Sequence, residues 1–379
     1  MQIQSKLKPG GSSGCAVCGL TAAYQFNEIG KTGECKYCRG FERRSFKGGE
    51  KLLEDLALQP GEKIGVTVSG GKDSIYMLGV LQDLLGADLI LALSFYRPGL
   101  TSETAMDNIR KTAGILGTEL LTVTDREAYA RFRRNFEILL ENPNAAAVRV
   151  LLCAGCRYGV TARLYAEGQK RNIRKYFSAA SYLELAPFKE ELLEALSPRG
   201  DSADGLERLI AEYPALNYDD NLAIIRRDHH YKYKNNQTMC GHLHVGPDIQ
   251  LFDFDDYFEN NPEQIEKTVI QKYGWQKTNR SWHFDCIIED IKDVFYYGLL
   301  GYTEMDFKTA AMVRYGLLTA ERAHEIIAAF DRKIANSYGQ MAEFLKQHQL
   351  THRMPQLDML YKNSPYLVFP ADSAAARQQ

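Results

Sequence analysis

Three groups of residues in this chain have the types and spacing to do chemistry. The first is Ser69-Gly70-Gly71-Lys72-Asp73-Ser74, directly after the apolar run Ile64–Val68. Glycines carry no Cβ, so the main chain there can turn tightly and press successive N–H groups against an anion. Ser69 and Ser74 add hydroxyl donors and Lys72 adds a point charge. A helix opening near Ser74 adds the positive end of its dipole. Together these make a phosphate cradle, although the Gly-x-x-x-x-Gly-Lys-Ser/Thr pattern is absent. The plain alternative is a Gly-Gly turn with no ligand.

The second group is Cys15-x-x-Cys18 and Cys35-x-x-Cys38, with sixteen residues between the pairs. That spacing suits a tetrahedral Cys₄ zinc site, in which each pair bites the metal and the metal supplies folding free energy that a short ribbon lacks. An iron–sulfur cluster or four unligated thiols are the alternatives. The third group is Cys153-Ala-Gly-Cys156, with Cys286 or Cys240 as a further ligand. It reads as a second metal or cluster site, as a catalytic thiol pair, or as inert buried cysteines.

These groups need a frame. The apolar runs predict a strand over 63–68, a helix over 73–85, a strand over 88–95, a helix over 102–116 and a strand over 119–124. That alternation predicts a doubly wound parallel α/β sheet with right-handed crossovers. Ligands in such sheets lie at the carboxyl ends of the strands, where Ser69–Ser74 falls. Residues 39–59 read as a linking helix, 127–150 as an amphipathic helical stretch, 158–170 as a helix, 175–180 as a strand and 192–218 as a broken helical insert. Thr319 reads as the N-cap of a helix running through Glu321, Ala323 and Ile326. Three regions are expected: a zinc-ribbon-like unit over 1–45, a nucleotide domain over 46–260 and a mostly helical region over 261–379.

Composition narrows the class. The chain has 379 residues, 45% of them hydrophobic, and a net charge of −2. It is long enough for a catalytic core with attachments and has no global field to hold it on nucleic acid or an anionic membrane. No apolar run reaches membrane-spanning length and the opening residues lack a signal-peptide core, so a cytoplasmic setting is expected, with cysteines serving as metal ligands or reactive thiols. The run Asp228–Lys234 is basic and aromatic, fit either for an anionic substrate or for a solvated face. His242 and His244 beside Cys240 offer a weaker zinc reading.

The segment Ser69–Ser74 resembles the PP-loop of the ATP pyrophosphatase superfamily, which reads Ser-Gly-Gly-x-Asp-Ser. The resemblance implies that Ser69, Gly70, Gly71 and Ser74 grip the pyrophosphate of ATP, that Lys72 neutralises charge, and that Asp73 places Mg²⁺. A substrate oxygen would then attack the α-phosphorus. Ser94 and Phe95, at the end of the second strand, take the position from which that superfamily usually contacts adenine, with core packing as the alternative. Cys153 and Cys156 resemble the pair that, in its tRNA thiolases, holds a four-iron four-sulfur cluster. The Gly-His-Asn segment of those enzymes is missing around Ser178–Tyr182.

A second resemblance joins both ends of the chain. Asn27-Glu28-Ile29-Gly30, Tyr273-Gly274-Trp275, Trp282–Cys286, Gly301-Tyr302 and Lys308–Ala323 are similar to bacterial N-acetyl sugar amidotransferases, PP-loop proteins of surface-polysaccharide synthesis. That likeness implies a small substrate such as a nucleotide sugar, release of AMP and pyrophosphate, and ammonia from a partner glutaminase through a tunnel-forming subunit. A sulfur transferase acting on tRNA or a small molecule is the alternative, and the neutral charge counts against tRNA.

Overall fold

A computed structural model of the chain describes residues 14–156, 159–179, 181–233, 249–277 and 286–370. Cys240, His242, His244, Lys234, Arg157 and Trp282–Asp285 lie outside them. The centre is a five-stranded parallel sheet: β1 (Ile64–Thr67), β2 (Ile90–Tyr96), β3 (Glu119–Thr124), β4 (Lys175–Ser178) and β5 (Gln250–Asp253). The strands lie in the order β3-β2-β1-β4-β5. The chain moves outward from β1 to β3, then returns to lay β4 on the other side of β1. The strand order therefore reverses between β1 and β4, the crevice where open α/β sheets bind ligands at their carboxyl ends.

Helices cover both faces. Lys72–Leu85 and Pro262–Tyr273 pack on one face with Ile64, Val66, Phe177 and Met106. Gly79 lies inside the first of these helices, where a Cβ would come within 2.0 Å of the Tyr273 hydroxyl. The missing side chain thus sets the distance between the two helices. On the other face Leu91, Leu93 and Phe95 meet Leu164, Tyr165 and Tyr176.

The largest apolar core lies beside the sheet and is built mostly from helices. Ala128–Glu141, Ala145–Leu152, Phe188–Glu194, Ser202–Ala211 and Ile288–Leu300 all contribute to it. The helical stretch over 127–150 consists of two helices, Ala128–Glu141 and Ala145–Leu152. Pro143 cannot donate a backbone hydrogen bond, and Asn144 restarts the chain by accepting from Ala146 N at 2.9 Å. Cys15, Cys18, Leu20, Tyr24 and Cys35 belong to this same core. Tyr24 stands edge-on to Phe307 at 4.9 Å and its hydroxyl donates to Glu191. Thr319 caps Ala320–Ala335 by accepting from Arg322 N at 3.2 Å, as its type predicts.

Among the described residues no helix is long and apolar enough to cross a membrane.

Candidate nucleotide and metal sites

β1 ends and the chain turns through Ser69–Gly71 into the helix Lys72–Leu85. Gly70 takes φ +85°, and a Cβ there would lie 2.3 Å from the carbonyl oxygen of Ala105. Only glycine fits. Its own carbonyl accepts from Trp275 Nε1 at 2.9 Å and from Asn108 Nδ2 at 3.4 Å, so the turn is pinned by the helix Glu103–Leu116 and by the segment just after the helix Pro262–Tyr273. Ser74 Oγ donates to Gly71 O at 2.9 Å and accepts from Ser69 N at 3.2 Å. The first turn of the helix has Gly71 at its N-cap and no side-chain cap. Its first N–H groups thus lack the side-chain acceptor that usually satisfies them, as an anion-binding helix start requires.

Lys72 is buried and its Nζ pairs with Asp73 Oδ1 at 2.6 Å, while Asn260 donates to the same oxygen at 3.3 Å. A phosphate and a divalent ion would each take one member of that pair.

Two carboxylates absent from the sequence reading stand next to this turn. Asp253 ends β5 and Asp255 follows it. Asp255 accepts from Tyr182 N at 3.1 Å. Burial, then Asp253 and Asp73, push its carboxyl up to about 8. Burial also pushes Asp253 up to about 6. Crowded acids of this kind mark a place where a cation would be favoured. Arg44 pairs with Asp256 and lies 3.9 Å from Asp253, closing the outer side.

Ser94 and Phe95 sit on opposite faces of β2 near its carboxyl end. Ser94 is buried, and its Oγ has no hydrogen-bond partner among the described residues. Phe95 belongs to the sheet core, and Gly159 leaves room for its ring: a Cβ there would lie 2.6 Å from Phe95 Cζ.

The N-terminal cysteines converge. Cys15 and Cys38 sulfurs are 3.6 Å apart, Cys18 and Cys35 are 3.7 Å apart, and all four lie within 4.8 Å of one another. A tetrahedron with metal–sulfur bonds of about 2.3 Å has edges of about 3.8 Å, so the four thiols outline a single-ion site. Hydrogen bonding from Cys18 pulls Cys35 down to about 4 and drives Cys18 upward, a conflict that one cation removes. Arg314 donates to Cys18 Sγ at 3.4 Å.

The second pair has other neighbours. Cys156 Sγ accepts from Arg97 Nη1 at 2.8 Å, just beyond the end of β2. Burial raises the Cys156 thiol, against the opposing charge of Arg97. Cys286 pairs with Thr101, whose Oγ1 accepts from Arg97 N at 3.0 Å. The loop 97–101 thus connects to both cysteines, although Cys153, Cys156 and Cys286 do not form a described group with ligand atoms all within 4.8 Å of one another.

No protein-family model matches the chain, and no curated protein sequence matches it. Among solved structures, the glutamine-dependent NAD+ synthetase from Acinetobacter baumannii in complex with adenosine diphosphate is similar at 16% identity, with a TM-score of 0.27. That match covers 74% of this chain and 42% of the synthetase, so the chain spans less than half of that protein's length. At this level the match bears on neither reaction nor substrate.

Proposed function

We propose that this chain is a PP-loop ATP pyrophosphatase that adenylates an amide or carboxyl oxygen of a small substrate and lets ammonia displace AMP. One observation carries the reading. The Ser69–Ser74 turn, with φ +85° at Gly70 and a helix start without a side-chain cap, lies at the reversal of strand order. Backbone N–H groups, Ser69, Ser74 and Lys72 would take the phosphates, with Lys72 leaving Asp73 for the anion.

Mg²⁺ fits here as an ion held by Asp73 plus phosphate oxygens, the way magnesium is commonly bound, with Asp255 beside it. When bound it would neutralise developing charge on the departing pyrophosphate. Asp73 would orient toward it, and Asn260 would hold the Asp73 carboxylate in place. The Cys₄ tetrad is proposed to hold zinc in a structural role, since a closed tetrahedron leaves no position for substrate. The acceptor is proposed as a small molecule of the nucleotide-sugar kind, with a glutaminase partner supplying nitrogen.

A second reading has its own observation. The loop 97–101 touches Cys156 through Arg97 and Cys286 through Thr101, and this reading proposes that Cys286 joins the Cys-x-x-Cys pair. Three thiolates there would suit an iron–sulfur cluster and sulfur transfer.

Incubation with ATP, Mg²⁺ and candidate N-acetyl sugar nucleotides, followed by product analysis, tests the first reading. AMP and pyrophosphate are expected; ADP and orthophosphate would refute the assignment. Iron and sulfide analysis of anaerobically prepared protein then separates nitrogen from sulfur transfer.

A further inference from the structure

The carbonyl of Gly70 and the N–H of Gly71 belong to one peptide unit, and its two ends lie in different surroundings. The carbonyl is buried, with Trp275 Nε1 donating to it at 2.9 Å and Asn108 Nδ2 at 3.4 Å. The N–H is on the exposed side, where it donates to Ser69 Oγ at 3.4 Å. A peptide unit is planar and trans, so its C=O and N–H point opposite ways. Holding the oxygen inward therefore aims the N–H outward, beside the Ser69 hydroxyl and the start of the helix Lys72–Leu85.

The local chain alone does not set that direction, because the unit lies between two glycines. Gly71 stands at φ −69°, and a flip of the peptide would carry it to positive φ, which glycine adopts without strain. A flipped unit would present a carbonyl oxygen to a phosphate oxygen, lone pair against negative charge. It would also take this acceptor away from Trp275 and Asn108 inside the core, which disfavours it.

Both donors are held from elsewhere in the fold. Asn108 is buried and docks on Gln276 as a backbone peptide would: its Nδ2 donates to Gln276 O at 3.0 Å and its Oδ1 accepts from Gln276 N at 2.9 Å. Trp275 is buried in the same core as Met106 and Val269, and its backbone N donates to Val269 O at 3.2 Å. Gly274, at φ +59°, ends the helix Pro262–Tyr273 and turns the chain to this point, where Lys111 Nζ donates to its carbonyl at 3.1 Å.

We propose that Trp275 and Asn108 are positioning residues for the phosphate turn: by holding the Gly70 carbonyl they keep the Gly71 N–H directed at the anion. This rests on the PP-loop reading above. The turn is then a two-state element, competent or flipped, and the apparent affinity for a phosphate-bearing ligand scales with the competent fraction. Removing one donor takes away part of the bias. Removing both should cost more than the two separate losses multiplied together.

The test is isothermal titration calorimetry of inorganic pyrophosphate into the full-length, zinc-loaded chain, alongside the Tm of each ligand-free protein. Trp275→Phe keeps a ring in the core and removes the indole N–H; Asn108→Leu keeps the shape of the side chain and removes its donor. Each is expected to raise Kd about two- to threefold, and the double variant about tenfold or more, in protein that melts cooperatively. Side chains that only pack would give losses that multiply. A native Kd in Trp275→Phe overturns the assignment, whether or not Asn108→Leu folds, and so does a double-variant loss no larger than the product of the single ones. A native chain that takes up no pyrophosphate refutes the phosphate reading itself, and this assignment with it. No nucleotide is present, so ADP formation in the product analysis would refute the adenylation reading and leave this result standing.

Discussion

The N-terminal cysteine tetrad and the carboxyl edge of the sheet are both polar centres, but they are built on opposite plans. In the tetrad every sulfur faces other sulfurs, with separations of 3.6 and 3.7 Å between paired thiols, and one ion would satisfy the set. At the sheet edge the charged groups hold provisional partners: Lys72 holds Asp73, Arg97 holds Cys156, and Asp255 crowds Asp253. A closed site of the first kind stabilises. An open site of the second kind can exchange its partners for substrate, which is what chemistry needs.

The sharpest way to break this contrast is to open the closed site. Cys35→Ser should release the metal, measured by metal analysis, and lower Tm by many degrees. The knuckle shares its core with Leu20, Tyr24 and the helices 288–314, so the damage should reach beyond the first forty residues. Residual ATP cleavage in whatever protein stays folded supports a structural metal. Complete loss of cleavage in well-folded protein would place the tetrad on the open side of the comparison.

Next in size, Lys72→Ala and Asp73→Ala should each lower AMP formation by about 10²-fold or more, with Tm changing little. A large drop in stability with near-normal turnover would mean that the Lys72–Asp73 pair is itself a structural element.

Cys153→Ala addresses the second pair. In anaerobic protein it should leave the zinc content unchanged. If the native chain carries iron and sulfide, the variant should lose both; if it carries neither, turnover should be the more telling measurement.

The smallest effect concerns pH. Asp255 is held at about 8 when folded, above its ordinary carboxylate value, so the folded state binds the extra proton. Its contribution is fully present below about pH 4 and is lost as pH rises through about 8. Stability should therefore fall with rising pH across that window, and Asp255→Asn should flatten the fall. Asp253, held at about 6, would leave a remnant slope below that pH. Identical pH profiles for the two proteins would remove Asp255 from the acidic group, and Mg²⁺ with ATP should shrink the difference.

Local structure was readable in the sequence where a short segment contains its own reason. The Gly-Gly turn, the convergence of the two N-terminal Cys-x-x-Cys pairs and the first three strands are of that kind, and Thr319 caps its helix as expected. What escaped depends on distant partners. Gln250–Asp253 is a short run with only Leu251 and Phe252 apolar, and becomes a strand because β4 pairs with it along Lys175–Ser178. Asp255 was hidden with it. Glu289, Lys292, Asp293 and Tyr296 on the helix Ile288–Leu300 have the periodicity of a solvent-facing surface, and their burial follows from the helices packed over them. The helix expected over 158–170 is described as a wider-wound turn over Gly159–Arg163 followed by Leu164–Gln169, in the region where Phe95 fills the space above Gly159.

One bond described above gives the molecule an optical property. Trp275 donates its indole N–H to the carbonyl of Gly70, 205 positions earlier in the chain. The chain has two tryptophans, Trp275 and Trp282, so a large share of its intrinsic emission arises from a ring attached to the phosphate turn itself. Any ligand that shifts that turn changes the surroundings of its own reporter, and Trp282→Phe would make the signal come from Trp275 alone.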